Sequence, residues 1–108
     1  MNLFEWSKFL TKLQLSQKNM LQSKRSQYST EDDVFYNFRD AALLNHETMA
    51  KTLWGFVSKH IVTVRKMIDE DDSSGPSHTL EEYEDKVMDI YNYMPLLLAI
   101  IAERDGRK

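Results

Sequence analysis

The stretch TLEEYEDKVMDIYNYMPLLLAIIAE, residues 79–103, decides the fold, because it joins a helix start signal to a long apolar stripe and a polar cluster. Thr79 and Glu82 stand three apart before the apolar run, the spacing of a capping box, so a helix is expected to begin at Thr79. Leu80, Val87, Ile90, Met94, Leu97, Leu98 and Ile101 recur at helical spacing and form a face that needs other helices against it. Asp85, Asp89 and Asn92 follow at i, i+4 and i+7 and line one side of the same helix. Pro95 lies inside it and takes away the donor that the Tyr91 carbonyl would otherwise receive, which predicts a bend just past the polar cluster.

Working outward, the same periodicity organises the rest of the chain. Residues 46–69 place Met49, Leu53, Phe56, Val57, His60, Ile61, Val64, Met67 and Ile68 on one face, with Asn45 as the expected cap. Gly55 inside that helix costs about 1 kcal/mol relative to alanine and predicts close approach of a neighbour. Residues 31–44 form a shorter helix opened by Thr30 and Asp33, with Val34, Phe35, Phe38, Ala41, Ala42 and Leu44 facing inward. Residues 2–25 form a long amphipathic first helix whose polar face carries Lys8, Lys12, Lys18, Lys24 and Arg25. The acidic stretch at residues 70–78, with Gly75 and Pro76, reads as the loop before the last helix and as the mobile one.

The expected fold is therefore all-α, a bundle-like arrangement of four helices over residues 2–25, 31–44, 46–69 and 79–103. All 108 residues belong to one helical domain. Within it residues 1–25 form an arm, residues 26–103 the core and residues 104–108 a frayed polar tail. Three glycines and two prolines leave little room for a turn-rich β-fold. Long apolar helices in so short a chain predict a homodimer or higher oligomer, with the first helix crossing between subunits.

Composition narrows the function classes. The chain has no cysteine, hence no disulfide frame and no thiolate metal site, and its net charge is −3. No apolar signal core follows Met1 and the longest apolar run falls short of a membrane span, so a cytoplasmic, non-membrane protein is expected. The lysines of the first helix read as a solvated face, and no nucleic-acid-binding motif accompanies them. A phosphate-cradling glycine loop, a nucleophile elbow and a zinc-protease motif are all missing from the sequence. What remains for catalysis is metal-and-carboxylate chemistry, with Asp85 and Asp89 as ligands for magnesium. The competing reading is an ordinary acidic stripe paired with Lys86 or with bases on another helix.

The segments KRSQYSTEDDVFYNF (residues 24–38), TLWGFVSKHIVTVRKMI (residues 52–68) and YEDKVMDIYNYMPLLLAII (residues 83–101) also form a pattern. The pattern resembles small helical proteins of bacteriophages and prophages related to the nucleotide modification associated domain 1 family. It is distantly similar to the MazG-like all-α nucleoside triphosphate pyrophosphohydrolases. The resemblance covers about residues 20–103 and places Lys24, Tyr28, Asn37, Lys59, His60, Asn92 and Tyr93 at nucleotide-binding positions, with Asp85 and Asp89 on magnesium. The third helix carries no Asp or Glu between Glu47 and Asp69, so the acidic set of those enzymes is reduced here. The first expectation is accordingly a non-catalytic protein without a cofactor in an infected bacterial host, binding a host or anti-phage defence component. The alternative is a magnesium-dependent nucleotide-binding or pyrophosphohydrolase-like protein.

Overall fold

A computed structural model describes residues 1–28 and 33–107, and their side chains except those of residue 21 and residues 23–28. It is all-helical, with four helices in the order α1 (Leu3–Tyr28), α2 (Tyr36–Asn45), α3 (Met49–Ser74) and α4 (Leu80–Arg104). No strand occurs among the described residues, and no helix is long and apolar enough to cross a membrane.

The core is small and lies where α2, α3 and α4 meet. Phe35, Phe38, Leu53, Val57 and Ile100 form its buried cluster, with Ile90, Tyr93, Met94 and Leu97 partly buried against it. Phe38 sits at the centre of an aromatic group, its ring edge-on to Phe56 at 5.8 Å and to Tyr93 at 6.2 Å. Such edge contacts add about 0.5–1.5 kcal/mol beyond the area they bury. The helix α1 packs on α4 and α2, yet none of its described side chains is fully buried.

Helix α4 begins as expected: Thr79 is extended and its Oγ1 accepts the Glu82 backbone N–H at 3.2 Å. Its buried seam, however, is Met88, Asn92 and Ile100, while Leu80, Val87 and Leu98 face outward. The expected stripe was too broad, because three neighbouring helices of unequal length do not cover all of one face. The end of α4 is closed by Gly106 in the left-handed region, with Gly106 N–H donating to the Glu103 carbonyl and Arg107 N–H to that of Ala102. These two bonds make a Schellman motif.

Four local expectations need correction. Helix α2 starts at Tyr36, not at residue 31, since Asp33 folds back to accept the Phe35 N–H at 3.0 Å and pairs with Arg39 at 2.8 Å. Thr30, the other half of the expected cap, lies outside the described residues. Asn45 does not cap α3; it ends α2, which closes on His46 at φ 54°, and Thr48 caps α3 by accepting the Lys51 N–H at 3.2 Å. Helix α3 runs to Ser74 instead of residue 69, and the connection expected to be loose is tied down by Asp71. Gly55 meets no close neighbour: a Cβ placed there would have nothing within 4 Å.

Candidate functional site

The polar candidates converge only in part, around the middle of the α3–α4 seam. Asp89 and His60 face one another with Oδ2 and Nδ1 3.7 Å apart, both about three-quarters shielded from solvent. The His60 ring lies 5.7 Å from that of Tyr93, tilted by 30°, and Tyr93 in turn meets Phe38. This brings His60, Asp89 and Tyr93 together, with the imidazole set between a carboxylate and an aromatic ring.

Asn92 is buried, with 5 % of its surface exposed, and among the described residues neither its amide nitrogen nor its amide oxygen has a hydrogen-bond partner. An amide so placed costs about 1–3 kcal/mol on a protein scale unless something answers it. It combines a donor and an acceptor side by side, which suits a ligand edge with the opposite arrangement.

The other candidates stand apart. Asp85 is largely exposed and pairs with its neighbour Lys86 at 3.6 Å, away from the Asp89–His60 pair. Lys59 points outward over the Phe56 ring, its Nζ 5.9 Å from the centroid. Asn37 lies exposed in the first turn of α2. Lys24 and Tyr28 belong to the last turns of α1, and their side chains lie outside the described ones. Among the described residues no three His, Asp or Glu side chains converge as a metal site would require. One helical turn separates Asp85 from Asp89, but only Asp89 is turned into the seam, because α3 covers that side of α4 and leaves Asp85 in water.

A second polar cluster, which no sequence motif marks, sits at the α3–α4 corner. Asp71 accepts from the Tyr83 hydroxyl at 2.5 Å, from the Ser77 N–H at 2.9 Å, from the Ser77 hydroxyl at 3.0 Å and from the His78 N–H at 3.1 Å. The Tyr83 bond first, and the backbone donors after it, hold the Asp71 carboxyl down at about 2, and the same bond pushes the Tyr83 hydroxyl up to about 12. His78 is gripped between Glu82, 3.0 Å from Nδ1, and Glu70, 3.4 Å from Nε2. Its pKa is raised, chiefly by Glu82, whose own carboxyl is lowered in return. The i, i+4 pair His78 and Glu82 was the available sequence signal. Residues 70–74 have the composition of a loop yet continue α3, which hides that signal.

A separate feature is the outward side of α1. Leu3, Phe4 and Leu15 are exposed at 78 %, 68 % and 58 %, and Lys8 lies over the Phe4 ring at 4.7 Å. Lys8, Lys12 and Lys18 make no ion pair among the described residues, so this face joins apolar side chains to positive charge, with Lys12 also bordering the groove that Glu81 and Glu84 line. Compared with family models, with curated proteins and with solved structures, the chain matches none.

Proposed function

We propose that this protein acts without catalysis, by binding another macromolecule through exposed apolar surface. The observation that carries the reading is the outward face of α1, where Leu3, Phe4 and Leu15 stand in water beside Lys8, Lys12 and Lys18. Contiguous exposed apolar side chains rimmed by charge mark interaction surfaces more often than catalytic ones. The resemblance to small phage helical proteins makes a host or anti-phage defence component the expected class of partner. The splitting of Asp85 from Asp89 supports the same reading, since it leaves two carboxylates that do not share a ligand.

The test is expression of the chain in a defended bacterial host, scored by plating of a phage that the defence restricts. The wild type should restore plating and bind the defence component in purified form, and Phe4→Glu with Leu15→Glu should abolish both while leaving the helical spectrum intact. Restored plating that survives the double variant would count against this surface, and no effect across defended hosts would count against the reading.

One observation favours a second reading. The unanswered amide of Asn92, which follows Asp89 by one turn of α4 and adjoins Tyr93 in sequence, suits a nucleotide base more readily than it suits a protein surface. In that reading Asp89 takes part in holding magnesium and Lys59 reaches phosphate. A melting shift of several degrees with nucleotide and magnesium together, lost in Asn92→Leu, would move this reading to first place.

A further inference from the structure

The outward side of α3 carries a pattern that the partner surface on α1 does not explain. From Lys51, alternating steps of three and four residues land on Trp54, Ser58, Ile61, Arg65, Ile68 and Asp72. That alternation is the heptad spacing of a helix lying along another helix, here with Trp54, Ile61 and Ile68 at one seam position and polar side chains at the other. Trp54, Ile61 and Ile68 are exposed at 51 %, 41 % and 45 %, although the sequence places Ile61 and Ile68 on the core face. Arg65 has 85 % of its side chain in water and only a distant contact to Asp69 at 4.0 Å. Lys51 and Asp72 form no ion pair among the described residues.

The order of these residues is palindromic in chemistry. Laid antiparallel on its own copy about an axis at Ile61, the seam sets Lys51 against Asp72, Trp54 against Ile68, Ser58 against Arg65 and Ile61 against itself. The three unlike pairs then occur twice and the Ile61 pair once on the axis, as a twofold interface requires. Basic and acidic ends meet, the two large apolar pairs flank the centre, and the small Ser58 leaves room for the arginine opposite. The Ser58 hydroxyl already donates to the Trp54 carbonyl at 2.8 Å, so its oxygen is left to accept. The seam spans about 32 Å at 1.5 Å per residue, close to six turns of contact. The outward face of α1 fails the same operation, since self-pairing would press Lys8, Lys12 and Lys18 against their own copies.

We propose that the chain forms a homodimer through antiparallel pairing of α3 with α3 of a second copy, leaving α1 outside the interface. This is independent of any heterologous partner.

Light scattering on the full chain at tens of micromolar should give twice the chain mass of 12.8 kDa. Ile61→Glu, which puts two carboxylates on the axis, should give the single-chain mass with an unchanged helical spectrum. Lys51→Glu should raise the dimer dissociation constant about tenfold, and adding Asp72→Lys should restore it, because the swap rebuilds both pairs. Ile61→Cys, the sole cysteine in the chain, should cross-link rapidly on oxidation, ahead of Leu44→Cys placed off the seam. A single-chain mass for the wild type, a dimer that tolerates Ile61→Glu, a swap without rescue, or a dimer lost in Phe4→Glu with Leu15→Glu would each overturn the proposal.

Discussion

The side-chain amide of Gln17 donates to the Tyr91 carbonyl across 2.8 Å, and that carbonyl is the one Pro95 leaves without its helical donor. A defect inside α4 is thereby made into an attachment point for α1. The bond should contribute about 1 kcal/mol, the usual net value for a hydrogen bond between neutral groups. Gln17→Ala is expected to lose that amount in denaturant unfolding. In a Pro95→Ala background the restored N–H takes the carbonyl, and the cost of Gln17→Ala should shrink toward zero. Equal losses in the two backgrounds would show that the amide serves something else.

Asn92 offers a test with the opposite sign. Replacing it by leucine, similar in volume, removes two buried polar atoms that have no partner among the described residues. We expect Asn92→Leu to raise stability by about 1–2 kcal/mol, seen as a higher melting temperature. A lower melting temperature would mean that the amide is answered in the folded protein.

The Asp89–His60 pair is about three-quarters shielded rather than fully buried, and its atoms stand 3.7 Å apart. Asp89→Asn should therefore destabilise the fold modestly, by about 0.5–1 kcal/mol, in the range of partly exposed ion pairs and short of the several kcal/mol of a buried one. The loss should be smaller when His60 is already alanine. A variant that melts above the parent would instead mark Asp89 as a carboxylate held at a cost for a ligand.

The corner around His78 sets a pH dependence. His78 has a folded pKa raised above its ordinary 6.5, so its contribution is complete below 6.5 and is lost as pH rises through the folded value. Asp71, lowered from 3.8 to about 2, and Glu82, lowered from 4.5, act in reverse: their contributions are complete above those ordinary values and fade in acid. All three are present together between about pH 4.5 and 6.5. Melting temperature should peak in that window and fall toward neutral pH, and in His78→Gln the neutral-side fall should vanish. An unchanged profile in His78→Gln would refute the assignment.

Short-range grammar was legible in the sequence, and longer relations only where one face had a single neighbour. Thr79 with Glu82 could be read because both partners lie within one turn. Asn45 and Thr48 are both competent caps, and the choice fell to Thr48 only because His46 takes the left-handed turn that ends α2. Asp85 and Asp89 share a helix side in any drawing of α4, but the reach of α3 decides which of them is shielded. Glycine at position 55 permits a close contact without requiring one, and the structure leaves it open on the side where no helix of the same chain passes. Gln17 and Tyr91 lie too far apart in sequence for any local pattern to join them.

Because no described side chain of α1 enters the buried cluster, that helix can part from the others without dismantling what holds them. The protein therefore has two depths of opening, a shallow one that releases the arm and a deep one that melts the folded body. Each shallow opening lays bare the part of α4 that the arm touches, around Glu84 and the Tyr91 carbonyl. The small latch between Gln17 and Tyr91 is one of the contacts that keep that part of α4 from other molecules, and a single proline is what makes the latch possible.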